Sequence, residues 1–492
     1  MARLKALLTT NWHFVGVVIF FLVHGYSEHR GLIPFSDGLV TCAQLTAVGL
    51  LIFGISRWVL RGSQKAGLFT SFVLVLILFF GAWQDAFASL HFLAGLSRLQ
   101  YFVPLVVLTM VLFGLWLKRT NAKLDRTIRF INLLLIIYLA IDLFFLIATA
   151  PHKDKADSSL AASHITPCDT CAKPSVYLVV LDAYFGREGM KEFFQYDNTA
   201  FEDTLRQKGF HVVGHSRSNY AATIYSMGSM LNMDYLNLDG RPVIDNHFGY
   251  AAGMAAIRDN RVCQYFGQLG YTIVNHSIFD FRHVPAGYEE GLLPENIRLI
   301  TQQTMYSRIS KNLPVFMIRQ GWAPGWQREL DDNFVKNNES MMARTLEVSA
   351  RKQERPVFTY LHLMMPHEPF AFDSMGVRRT ATTRDKKNYA KQRDAEFLQY
   401  QVYANKRINA FITQLQANTQ GKAVIILMSD HGYIQAAGPY PDMSFINFNS
   451  VYLPNGQYEG WHDSLSNVNQ FRVLFNTLYG QQLPLLKDSI VR

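Results

Sequence analysis

Charged residues are scarce, 17% of 492, and there are only four cysteines. With 49% hydrophobic residues beside so few charges, the chain is not largely disordered. Four cysteines cannot frame a disulfide-built scaffold, and no repeat period points to a solenoid. Acidic residues are outnumbered, 38 against 47 Lys and Arg, for a formal net charge of +9. In a soluble protein that excess raises nucleic acid as a partner. Here the placement of the basic residues gives a better account, and no nucleic acid is expected.

What is present is a strongly apolar portion, residues 1–150. Its apolar runs at 12–26, 38–56, 67–93, 101–117 and 128–149 approach the roughly 20 residues that cross hydrocarbon, predicting about five transmembrane helices. The first has a short core, Phe14 to Val23, and a cleaved leader is its alternative reading. Basic residues gather at one set of ends: Arg3 and Lys5, then Arg57, Arg61 and Lys65, then Lys118, Arg119, Lys123, Arg126 and Arg129. Only Arg30 and Arg98 lie at the other, which puts the first set in the cytoplasm. Five crossings then leave everything after residue 150 outside. Asp85 and Asp142, toward the outer ends of their helices, read as interhelical or interfacial hydrogen-bonding groups, or as contacts to a headgroup or the outer domain.

Residues 151–173 read as a linker before a domain at 174–492. Cys168 and Cys171 are open to three readings: a bridge, a metal pair with His164, or unpaired spacers. Beyond them, Val176 to Leu181, Val357 to Leu361 and Ala423 to Met428 are continuous apolar runs, the pattern of strands covered on both faces. Weaker strands are expected at His211 to Val213 and Tyr271 to Val274. Helix-length segments at 198–208, 224–235, 333–350 and 394–418 alternate with them, so an α/β domain is expected, with its site beyond the carboxyl ends of the strands.

Chemistry-bearing residues gather at those ends. Asp182 follows the first run, and Asp430 and His431 follow the third. If these strands are parallel neighbours, two carboxylates and an imidazole converge, and a divalent cation is the economical way to neutralise them. Thr223, before the 224–235 segment, is either a hydroxyl nucleophile or a helix cap. His367, in a loop after the second run, is placed to bind the transferred group's oxygens or protonate a leaving group, whereas His362 reads as a strand-end structural residue. The stretch Arg378 to Asp394 is strongly basic, either a guide for anionic substrate or a solvated loop.

Four segments in order, Val-Val-Leu-Asp182, Ser-Asn219-Tyr-x-x-Thr223-x-x-Ser226, Pro-His367-Glu-Pro and Ser-Asp430-His431-Gly, resemble the alkaline phosphatase and sulfatase superfamily. With the apolar front, the resemblance is to its membrane-bound branch of lipoteichoic acid synthases and phosphoethanolamine transferases. That resemblance implies Asp182, Thr223, Asp430 and His431 as metal ligands, Thr223 and His367 as catalytic residues, and Asn219 at the substrate. His276 and Arg282 loosely match the branch's headgroup-binding segment, without its tryptophan.

The departures narrow the reading. No Cys-x-Pro-x-Arg motif occupies the Thr223 segment, which disfavours sulfate esters. No histidine follows His431 closely before His462, so one cation, Zn2+ or Mn2+, is expected. The implied reaction moves a phospholipid headgroup phosphate through Thr223 to an envelope glycan, lipid or polymer. A phosphodiesterase or phosphatase using the same site is the alternative. The implied location is a bacterial cytoplasmic membrane with the catalytic domain on its outer side.

Overall fold

The run Val176 to Leu181 is β-branched or apolar throughout, so as a strand it is stable only where both faces are covered. In the computed structural model of the chain it forms β1, Val176–Leu181, with all six residues buried. The structure describes residues 8–28, 35–90, 92–148, 166, 168–238, 241–242, 247–282, 284–286, 297–319, 322–379, 388–437 and 440–492. Most of the expected linker, His164, Arg3, Lys5, Arg30 and the 380–387 part of the basic stretch lie outside the described residues. Cys168 and Cys171 are bridged.

The other strands are β2 His211–Val212, β3 Asn237–Leu238, β4 Arg241–Pro242, β5 Thr272–His276, β6 Val357–Leu363, β7 Val424–Ser429 and β8 Asn449–Tyr452. Six of them form one sheet in the order β2-β8-β7-β1-β6-β5, while β3 and β4 pair separately. Strands β5, β6, β1 and β7 run parallel; β8 is antiparallel to β7, and β2 to β8. Register places Leu181 beside Leu363 on one side and Ser429 on the other, so β1, β6 and β7 end together.

Side-chain alternation then sorts the sheet's two faces. Tyr177, Val179 and Leu181 pack with Phe397, Tyr400, Ala404, Ile408, Phe411, Ile412 and Leu415, the buried stripe of the Tyr389–Asn418 helix. Val176, Leu178 and Val180 pack with Met227 and Met230 of the Thr223–Asn232 helix and with Phe471 and Phe475 of the Gln470–Tyr479 helix. Asp182 has the parity of Val180, so its carboxylate leaves β1 toward the face that the Thr223 helix covers.

Chain contacts divide the molecule into two compact units, Met1–Lys153 with Glu290–Gln320, and Asp154–Glu289 with Gly321–Arg492. Residues 290–320, which the sequence places inside the outer domain, group with the apolar helices. In that first unit Asp37–Leu60, Leu99–Arg119 and Asp125–Ala148 are long and apolar enough to cross a membrane. Ser63–Leu78 and Phe80–Ser89, bent by 61°, make a fourth if taken as one span. Among the described residues, length and apolarity thus support three to four spans where about five were expected, because the His13–Glu28 helix has only 16 residues.

That short helix nevertheless runs parallel to Asp125–Ala148. Asn132 donates to the carbonyls of Leu8 and Thr10 at 3.0 and 2.9 Å, while His24 and Ser27 face Asp142 at 3.3 and 3.5 Å. Asp142 is therefore an interhelical hydrogen-bonding group.

Candidate active site

The parallel register brings the two sequence-distant acids together. Asp182 and Asp430 are both buried, and they, with His431, present ligand atoms within 4.8 Å of one another. Asp430 Oδ1 accepts from the Ala183 amide at 3.0 Å and from the His431 amide at 2.8 Å, which fixes the carboxylate. His431 Nδ1–H donates to the Gly432 carbonyl at 2.7 Å, leaving Nε2 as the lone-pair atom facing the cluster. A Cβ at Gly432 would overlap the Ile446 carbonyl, so the loop carrying His431 packs this closely because glycine occupies that position.

Thr223 completes the group. Its Oγ1 lies 3.2 Å from His431 Nε2 and 3.5 Å from Asp182 Oδ2. Ala222 is the helix cap and Thr223 the first helical residue, so the hydroxyl is turned to the acids instead of closing the helix end. Capping, the other reading of this threonine, does not hold.

The electrostatics follow from burial. Among the protein groups alone, burial opposes charge on Asp182, but the His367 charge, the His362 hydrogen bond and His431 hold its carboxyl well below the usual range. Burial and then the Asp182 charge push the Asp430 carboxyl above that range. Burial also works against protonated His367, yet Asp182 and then the Glu368 carbonyl, which accepts from Nδ1 at 2.6 Å, raise the ring's pKa. Asp182 Oδ1 and Asp430 Oδ2 are buried without a hydrogen-bond partner among the described residues. Two such oxygens beside a bare imidazole nitrogen fit a divalent cation.

The family model described as Sulfatase matches residues 245–471. The chain carries a sulfatase-family domain. The match includes His367, Asp430 and His431, while Asp182 and Thr223 precede it. No curated protein matches the chain. Among solved structures, it is similar to the C-terminal periplasmic domain of EcEptC from Escherichia coli in complex with Zn, at 11% identity over 64% of this chain and 85% of that one, TM-score 0.39. It is also similar to that domain of phosphoethanolamine transferase EptC from Campylobacter jejuni, at 11% identity over 64% and 91%, TM-score 0.40. A third is the phosphonate monoester hydrolase of Agrobacterium radiobacter, at 14% identity over 65% and 78%, TM-score 0.39. At these identities and TM-scores the likenesses carry no functional weight.

Several of the expected site residues are engaged elsewhere. Asn219 is fully buried, the two N–H groups of its amide shared among Tyr235 Oη, Ser466 Oγ and the Ser489 carbonyl, each 2.9–3.0 Å from Nδ2, and its oxygen accepting from the Val468 amide. With those bonds it ties the Thr223 loop to residues 466–489 and has no group left for substrate. Arg282 is bound to Asp259, and His276, the last residue of β5, has its Nδ1 2.9 Å from Oγ1 of Thr345 on the Pro324–Ala350 helix, so both make structural bonds away from the acid cluster. His462 pairs with Asp488 at 3.4 Å and does not fold back onto the centre.

Two contributions were not legible from the sequence. His362 is no mere strand end, because its Nε2 lies 3.4 Å from Asp182 Oδ2 while Nδ1 meets Tyr360 at 2.7 Å. The signal was register: His362 sits beside Val180, on the parity of Asp182. Asn467 donates to Ser226 Oγ at 3.1 Å and to the Asp430 carbonyl at 3.0 Å, bracing the strand end from a helix 37 residues later. Nothing in its local sequence marks that role.

Two predictions arise here. Gly253 packs its bare Cα against Ile224, next to Thr223, and a Cβ there would overlap Ile224 Cγ2. Gly253→Val is expected to lower kcat by about 10- to 100-fold through misplacement of Thr223, with KM little changed. Steady-state kinetics check it, and an unchanged kcat counts against it. Burial, then the Arg344 charge, push the His276 ring down to about 4, so the folded domain holds it neutral. Unfolded, it binds a proton from its ordinary 6.5 downward, so stability is full above pH 6.5 and falls as pH drops toward 4. Between pH 6.5 and 5 the loss should reach up to about 2 kcal/mol and be absent in His276→Gln, read by denaturant unfolding.

Proposed function

We propose that this is a membrane enzyme that transfers the headgroup phosphate of a phospholipid, of phosphoethanolamine or phosphoglycerol type, through a covalent Thr223 intermediate. What carries the reading is a hydroxyl 3.2 Å from an imidazole nitrogen and 3.5 Å from a carboxylate in a buried acid and imidazole cluster at the sheet's carboxyl edge. A helix-capping threonine has no reason to be there, and a phosphate is the group that such a cluster, at a helix N-terminus, would serve.

Asp182, Asp430 and His431 would hold one divalent ion, Zn2+ or Mn2+, with Thr223 beside it, since two carboxylates and one imidazole suit either metal. When bound, the ion supplies neutralisation of phosphate charge and a lowered pKa for the hydroxyl. Thr223 Oγ1 releases its proton to solvent and bonds to phosphorus as the bond to the diacylglycerol oxygen breaks. His367, whose pKa the Asp182 charge raises, would give that oxygen its proton. Its Nδ1 is committed to the Glu368 carbonyl, so Nε2 is the donating atom. The acceptor hydroxyl of an envelope glycan, lipid or polymer then gives its proton back to His367 and bonds to phosphorus as the Thr223 bond breaks, and Thr223 takes up a proton from solvent.

The apolar helices of the first unit supply a reason for the architecture. A lipid donor offers its headgroup at the interface, and an enzyme anchored there need not extract acyl chains. The basic residues at 57–65 and 118–129 support placing the catalytic domain on the outer side of the membrane, which we take to be a bacterial cytoplasmic membrane. The test is mass spectrometry of the purified chain after incubation with mixed phospholipids. The mass added to Thr223 identifies the donated group, and an acceptor assay decides between transfer and release to water. No adduct on Thr223 under any donor would remove the reading.

A further inference from the structure

Residues 297–319 come from the middle of the outer half of the sequence, yet they group with the membrane helices. The docking is specific. The Gly81 amide donates to the Gln303 carbonyl at 2.7 Å, at the break between Ser63–Leu78 and Phe80–Ser89. An amide that the bend removes from the helical ladder is thereby satisfied by the inserted segment. Arg308 holds Asp85 with two hydrogen bonds, at 2.8 and 3.2 Å. Met305 packs with Phe80, Phe102 and Val106, and Ile300 sits against the bare Cα of Gly25.

All these contacts lie at one end of the helices, opposite the basic ends at 57–65 and 118–129. At that end Trp83, Phe92 and Tyr101 are exposed, the aromatic placement of a membrane interface. The Met305–Arg319 helix adds Tyr306 and Leu313, 45% and 40% exposed. From Ile297 to Arg319 the chain has Arg298, Arg308, Lys311 and Arg319 and no acidic residue. Exposed apolar side chains and uniform positive charge on a helix fixed at membrane level are the composition of an interfacial helix.

We propose that the Met305–Arg319 helix sits in the outer-leaflet headgroup layer and binds acidic phospholipid there. The insertion then does two things, closing the broken membrane helix and gathering anionic lipid at the surface from which the enzyme draws. Charge selects the occupant: with Arg308 held by Asp85, the Met305–Arg319 helix still carries Lys311 and Arg319 and no acidic residue, which favours a phosphodiester surface over an acid-poor protein partner.

The assignment goes beyond the catalytic reading and is tested without turnover. The full chain, in nanodiscs of phosphatidylcholine or of phosphatidylcholine with phosphatidylglycerol, is photolabelled with a headgroup-diazirine phosphatidylglycerol, and adducts are mapped by mass spectrometry. Adducts on 297–319 should exceed those on the exposed 454–457 turn of the sulfatase-family domain several-fold, and unlabelled phosphatidylglycerol should compete them away where phosphatidylcholine does not. Lys311→Glu and Arg319→Glu should each lower them about fivefold. Labelling no greater than at 454–457, equal competition by both lipids, or cross-links from this helix to a second copy in place of lipid would each overturn the proposal.

Discussion

Replacing Thr223 with alanine should lower turnover by at least about 10³-fold and abolish the covalent adduct, while leaving the fold in place. The reason for expecting separation of the two effects is local. Ala222 caps the helix, so removing the Thr223 hydroxyl deletes no cap, and alanine is a better helix former than threonine. The lost contacts, to His431 Nε2 at 3.2 Å and Asp182 Oδ2 at 3.5 Å, are long enough that the stability change should stay within about 1 kcal/mol. Thr223→Ser, which keeps an oxygen at the same place, should retain measurable turnover and form the adduct. Kinetics, intact-mass measurement and thermal unfolding on the three proteins are sufficient. Turnover within tenfold of wild type in Thr223→Ala, or an adduct of the same mass, would sink the nucleophile assignment.

The second large effect concerns the two carboxylates. Wild-type protein stripped by a chelator should unfold at a lower temperature than the protein given Zn2+ or Mn2+, by an amount that grows with cation concentration and reaches about 4 kcal/mol at a thousandfold excess over Kd. In Asp430→Asn the signs should split. Oδ1 can still accept from the Ala183 and His431 amides, and the new amide replaces a carboxylate oxygen that has no hydrogen-bond partner. Without cation this variant should therefore be at least as stable as stripped wild type, because one of two buried like charges is gone. With cation it should gain little, and its activity should fall by at least about 10²-fold. Unfolding midpoints of both proteins with chelator and with each metal check this. A wild-type midpoint indifferent to cation would remove the metal centre, whatever the kinetics.

Much of the domain was legible because its strands are buried on both faces. Runs such as Val176 to Leu181 and Ala423 to Met428 can be recognised without knowing their neighbours, with Asp182 directly after the first and Asp430 one residue beyond Ser429 after the second. The short β8, Asn449–Tyr452, escaped because its polar and small residues carry no apolar run, although it supplies the antiparallel neighbour of β7. Asn219 illustrates the opposite failure. Its position in a motif points to substrate, but a polar residue beside a nucleophile can equally be spent on holding the loop, and its four bonds reach residues more than 200 positions away except at Tyr235. The insertion at 297–319 was invisible for a related reason. Nothing in its composition says whether an amphipathic helix covers a sheet or docks on a membrane helix.

Sequence by itself determined what depends on neighbouring residues and on solvent: an apolar helical portion, an α/β domain, and an acid or acid-imidazole pair at the end of two strands. Tertiary structure decided what depends on register and partners. It put Asp182, His362 and Asp430 on one face, turned Thr223 toward them, withdrew Asn219, His276 and Arg282 into structural bonds, and sent residues 297–319 to the membrane helices. Periodicity fixes which face a side chain takes, whereas the atoms waiting on that face are brought there by parts of the chain that no local pattern can name.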